Sequence, residues 1–190
     1  RQYNAVVEDE DLEAEIKRRG FGQTWKTAAG KVYQSSVFEK LFILLALKSA
    51  SLDQAGIGVE MEAGKPGWYD ALNGIPGLLG SSIPETYEIL RLAKYLFSAI
   101  DEVDVEIRLP IEFGEFLESL VITFTESSED PANVWRQTSA LRNRYRERVY
   151  SGISGQEKIY LSEQIRLILE IFANYVGKAV GKVEAIQPDL

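Results

Sequence analysis

The sequence has no histidine and no cysteine. Their absence excludes Ser-His-Asp and Cys-His nucleophilic machinery, thiolate zinc sites, imidazole metal ligands and any disulfide framework. Chemistry in this chain must therefore run on carboxylates, amides, hydroxyls, lysine, arginine and aromatic rings. A cysteine-free chain suits a reducing compartment, and a cytoplasmic protein is expected. Long apolar runs are missing too: the longest covers residues 41–47, well short of the roughly 18 needed to cross a bilayer, so no membrane partner is expected. Positive charge is scarce, with a formal net charge of -8, which argues against nucleic acid as a partner because phosphate binding needs an excess of Lys and Arg. The one basic cluster, Arg136, Arg142, Arg144, Arg146 and Arg148, follows an acidic run, residues 101–130, in which ten carboxylates meet the single base Arg108. The two stretches are expected to pair within the fold.

What is present is enough apolar surface for one core. The 190 residues are 45% hydrophobic, which suits a single globular domain and excludes global disorder. The start at Arg1, without an initiator Met or a signal-peptide pattern, leads to the expectation of a fragment of a larger polypeptide.

Helical periodicity dominates. Residues 8–19 predict a charged peripheral helix. Residues 37–48 predict a helix apolar nearly all round, of the kind found inside a bundle or helical barrel. Ser82, Pro84 and Glu85 have the order of a capping box at the start of a helix over 83–100. That helix is expected to bury Tyr87, Leu90, Ala93, Phe97 and Ile100, with Tyr95 also at a core-like position. Further helices are expected over 111–125 after Pro110, over 131–150 behind the N-cap Asp130, and over 161–183, the last capped by Ser154 with Glu157. The last helix should bury Leu161, Ile165, Ile168, Phe172, Val176 and Ala179. Residues 31–34 and 104–107 alternate briefly but have no nearby hairpin partner. The fold class expected is all-α.

Residues 56–80 break this pattern and hold seven of the fifteen glycines. They also carry Met61, Trp68, Tyr69, Ile75, Leu78 and Leu79, so this is not a polar linker; long loops of this kind tend to be functional. Glu60, Glu62 and Asp70 lie near Trp68, Tyr69, Asn73 and Lys65. These are the residue types of sugar sites: an aromatic face for the C–H-rich side of a pyranose, and carboxylates and amides for its hydroxyls. A carboxylic acid in apolar surroundings has a raised pKa and can protonate a glycosidic oxygen. The plainer alternative has Asp70 or Asn73 capping a short helix and Trp68 filling a core gap.

The run Trp68-Tyr69-Asp70-Ala71-Leu72-Asn73-Gly74 resembles the Trp-Asn-Asp-x-x-Asn loop of the inverting glycoside phosphorylases, the cellobiose and chitobiose phosphorylase family. The longer stretch 64–86 also resembles a loop of uncharacterised bacterial proteins described as cellobiose phosphorylases. The resemblance implies a helical hairpin array belonging to an α/α barrel, of which the roughly seven helices predicted here fill only a part. It implies a disaccharide or oligosaccharide as substrate, no cofactor, Asp70 as general acid and Trp68 lining the sugar site. Inorganic phosphate is the implied co-substrate. Tyr69 stands where the family usually has Asn, and its phosphate-binding His has no counterpart in this chain.

Two functions follow as expectations. In the first, Asp70 protonates the leaving oxygen while phosphate, or a water activated by Glu60 or Glu62, attacks the opposite face with inversion; hydrolysis requires the two carboxyl groups to be about 6.5–9.5 Å apart. The second is a non-catalytic all-α interaction or sugar-binding module. Metal binding by Asp101, Glu102, Asp104 and Glu106 ranks below a solvated acidic face, because the stretch lacks the mid-loop glycine of a calcium hand. Trp25 and Trp135 are expected to serve packing.

Overall fold

A computed structural model describes residues 10–19, 26–60, 80–101, 103–126, 130–150 and 152–186. Helix dominates them. The elements run α1 (Glu10–Arg19), α2 (Val37–Ser49), β1 (Val59–Glu60), β2 (Ser81–Ser82), α3 (Ile83–Asp101), β3 (Glu106–Pro110), α4 (Ile111–Glu126), α5 (Pro131–Val149), β4 (Glu157–Leu161) and α6 (Ser162–Ile186).

Local chemistry sets the starts of three helices. Ser36 caps α2 by accepting from the Glu39 N–H at 3.0 Å. Ser82 accepts from the Glu85 N–H at 3.3 Å at the start of α3, while the Glu85 carboxylate is held by Lys48 Nζ at 2.7 Å. Asp130 caps α5 through the Ala132 N–H at 3.0 Å, with Pro131 in the first turn, where a missing N–H is harmless. Ser154 and Glu157 do not cap α6. The Ser154 N–H donates to Glu112 Oε1 at 2.7 Å, and Glu157 lies in β4.

The core forms where α2, α4 and α6 meet. Phe42 of α2 packs edge-on against Phe113 of α4, with ring centres 5.7 Å apart, and against Phe172 of α6 at 6.4 Å. All three rings are fully buried, each contributing roughly 1.5–3 kcal/mol of transfer free energy. Helix α3 lies along α6, and α4 packs against α5. As expected, α6 buries Ile165, Ile168, Phe172, Val176 and Ala179, but Leu161 is exposed.

Three expectations about faces and strands are corrected. Helix α3 buries Thr86, Ile89, Ala93, Leu96 and Ile100, one position away from the predicted stripe at several points, leaving Tyr87 and Tyr95 exposed. Helix α2 is not enclosed, since Val37 and Leu44 face solvent. The alternating stretch near residue 106 is a true strand. Its antiparallel partner is β4, about fifty residues on, with Ile107 opposite Tyr160. The other short stretch, near residue 32, contributes an isolated bridge between Lys26 and Val32.

Among the described residues no helix is long and apolar enough to cross a membrane.

Candidate functional site

Glu60 is the one predicted site residue among those described; Glu62, Lys65, Trp68, Tyr69, Asp70 and Asn73 lie outside the described residues. Its surroundings are built by the stretch that leads into β1. Asp53 ties this turn together: Oδ1 accepts from the Ala55 and Ile57 N–H groups, each at 3.1 Å, and Oδ2 from the Gly58 N–H at 3.2 Å. Gly58 is needed for space, because a Cβ there would sit 2.6 Å from the Ser81 Cβ. Strands β1 and β2 then pair antiparallel, with Val59 opposite Ser82 and Glu60 opposite Ser81. The chain on either side of residues 61–79 is thereby fixed side by side.

Glu60 points at α5. Its Oε1 accepts from the Trp135 indole N–H at 2.6 Å, and its Oε2 lies 3.5 Å from Arg142 Nη2. Arg142 Nη1 donates to Ser51 Oγ at 2.6 Å and to the Ala50 carbonyl at 3.3 Å. Ser51 Oγ in turn donates to the Leu47 carbonyl at 2.8 Å, and the Glu60 N–H donates to the Ser51 carbonyl at 2.7 Å. These bonds join the end of α2, the base of the 61–79 segment and the middle of α5. The pair is mostly enclosed, with side-chain exposures of 12% for Arg142 and 28% for Glu60. Arg142 Nε is buried and has no acceptor among the described residues.

Trp135 and Arg142 are the residues that sequence reasoning missed. Trp135 was expected only to pack, and Arg142 was expected to pair with the acidic run. Their separation of seven residues on a helix, two turns, puts them on one face, which is the signal that could have joined them. Part of the expected pairing does occur: Arg148 pairs with Glu115, and Arg136 lies 4.0 Å from Asp130.

A cavity of about 530 Å³ lies beside the Asp53 turn, lined by Leu52, Gly56, Pro131 and Val134 and by Tyr175, Lys178 and Lys182 of α6. The Tyr175 ring stacks on Phe124 at 3.8 Å, and Lys182 Nζ reaches the Ala55 carbonyl at 3.4 Å. This wall combines an aromatic ring with two cations.

Among the described residues no group of three or more acidic side chains gathers to hold a metal ion. Asp101 accepts from Arg166 at 2.6 Å, Asp104 from Ser162 Oγ at 3.2 Å, and Glu106 faces Arg108 at 3.7 Å.

No protein-family model matches this chain, and a search of the curated proteins returns no match.

Proposed function

We propose that this protein acts on carbohydrate, cleaving a glycosidic bond of a disaccharide or oligosaccharide with inversion, with Asp70 as the general acid. The observation that carries the reading is the fixing of the chain on either side of residues 61–79. The strand pair fixes both flanks, and a mostly buried ion pair holds Glu60 to α5. Such anchoring suits a segment whose side chains must be held in place, and the run 68–74 within it resembles a phosphorylase loop.

In this mechanism Trp68 and Tyr69 offer ring faces to the sugar, and Asn73 and Lys65 bind its polar groups. Asp70 protonates the leaving oxygen. Both oxygens of Glu60 already meet donors from α5, which favours Glu60 as the anchor and Glu62 as the base that activates water. Where phosphate is the nucleophile instead, no base is required, and Lys178 and Lys182 are cations on the cavity wall beside the Asp53 turn. The reading includes a helical hairpin array forming part of an α/α barrel, for which the packing of α4 on α5 is one such unit. It also includes a cytoplasmic setting, to which a cysteine-free chain is suited.

The test is incubation with a panel of gluco-, manno- and chito-configured disaccharides, with and without inorganic phosphate, followed by NMR of the anomeric protons. Sugar 1-phosphate formed only with phosphate selects phosphorolysis, and free sugar formed without it selects hydrolysis. Absence of turnover across the panel, with binding of the same sugars retained, would replace the enzyme by a sugar-binding module.

A further inference from the structure

Away from the 61–79 segment, a cavity of about 570 Å³ lies between the chain that precedes α2, the last turn of α3, and the β3–β4 ribbon. Its walls are largely apolar and aromatic, including Tyr33, Phe38, Ile100 and Val105. One of its lining residues is Glu39, whose residue surface is only 3% exposed. Glu39 Oε1 accepts from the Tyr33 hydroxyl at 2.7 Å. The Ser36 backbone also bonds this carboxylate, and no ion pair of Glu39 occurs among the described residues. A carboxylate this buried is costly in its charged form unless a cation accompanies it.

The charges around the cavity point the same way. Glu106 and Arg108 come from β3 and Glu157 from β4. Arg108 is the one cation among the described lining residues, and it is shared between Glu106 at 3.7 Å and Glu157 at 3.8 Å. Among the described residues the ion-pair balance therefore leaves Glu39 without a cation. The last turn of α3 also borders the cavity, through Ala99 and Ile100, and has no basic residue. A helix C-terminus carries partial negative charge and favours a cation.

We propose that this cavity binds a small organic primary ammonium ion, its apolar or aromatic body against Tyr33, Phe38 and Ile100 and its ammonium group donating to the Glu39 carboxylate. An anion is disfavoured because Arg108 is already shared by two carboxylates. A metal ion is disfavoured because, among the described lining residues, Glu39 is the one carboxylate without a cation. The size suits the class, since small-molecule sites are commonly about 300–1,000 Å³.

Burial, foremost, and the Glu157 charge push the Glu39 carboxyl up from its ordinary range, while bonds from Tyr33 and Ser36 pull the other way. A bound ammonium ion favours the ionised carboxylate, so its binding lowers the Glu39 pKa and strengthens as pH rises through the Glu39 titration.

The experiment is isothermal titration calorimetry of the full chain with 2-phenylethylammonium, with 2-phenylethanol as the neutral partner of matching shape. The ammonium should bind at least about tenfold more tightly than the alcohol. Glu39→Gln should remove that preference while the alcohol still binds. Val105→Trp, at the exposed rim, should block both ligands without disturbing the core. Equal binding of ammonium and alcohol by the wild type, no binding of the ammonium, or unchanged ammonium binding by either variant would overturn the proposal. Loss of disaccharide turnover bears on a different site and leaves these outcomes unaffected.

Discussion

Replacing Arg142 with Met removes the cation beside Glu60 and keeps most of the side-chain volume. At 3.5 Å and an effective dielectric constant of about 20, the Coulomb attraction is about 5 kcal/mol. Desolvation of the two ions offsets most of it, so the intact pair adds little net stability. Removing one partner is different, because Glu60 then keeps only the Trp135 bond in a site where 72% of its side chain is shielded, the complement of its 28% exposure. Breaking a fully buried pair costs about 3–5 kcal/mol; partial hydration of Glu60 reduces this to about 2–3 kcal/mol. Ser51 is spared, since its hydroxyl still donates to the Leu47 carbonyl. For a chain of this size the melting temperature should fall by roughly 5–10 °C. Urea unfolding of wild type, Arg142→Met, Glu60→Gln and the double variant measures the coupling, and the double variant should recover at least about 1 kcal/mol relative to the sum of the singles. Additivity to within about 0.5 kcal/mol would refute the ion pair as the anchor of the segment.

At the base of the same segment, Gly58→Ala brings a Cβ to 2.6 Å from the Ser81 Cβ. It should destabilise the β1–β2 pair by about 1–3 kcal/mol, read as faster amide exchange at Val59 and Ser82. Two buried carboxylates should show opposite pH slopes. Glu39 has a raised pKa, so the folded state holds its proton more tightly than the unfolded chain; this contribution is complete below the ordinary carboxylate range and is lost as pH rises through the folded value. For Glu112, burial acts upward, but the Ser154 hydrogen bonds and the Arg148 charge outweigh it and leave the pKa lowered, so its contribution is present above the ordinary range and lost as pH falls through the folded value. In thermal melts, Glu39→Gln should therefore gain on wild type as pH rises, whereas Glu112→Gln should be destabilised at neutral pH and approach wild type in acid. Parallel slopes for the two variants would contradict the assignment.

The helix starts were legible because their signals are local. Pro110, Pro131, Asp130 and Ser82 act within a turn of where they stand, and α3, α4 and α5 begin where these residues indicate. Pairing over distance was not legible: the β3 alternation was visible, but its partner lies about fifty residues away, and Glu157 read as a cap because its strand role depends on that partner. The face of α3 was misphased because Tyr87, Leu90 and Phe97 are as apolar in sequence as Ile89 and Leu96, and only packing against α6 decides between them. For the site, Glu60 was picked out by its neighbours in sequence, but its partners came from α5, separated from it by 75 and 82 residues. Burial of Glu39 and Glu112, each in the first turn of a helix, has no counterpart in hydrophobic pattern, because a charged residue there reads as dipole compensation.

The central claim, that Asp70 is the acid of a glycosidic cleavage, is tested most directly by comparing wild type with Asp70→Asn on whichever disaccharide the wild type turns over. The account predicts a loss of turnover of at least about hundredfold, with an unchanged melting temperature. Turnover by Asp70→Asn close to that of the wild type would contradict it.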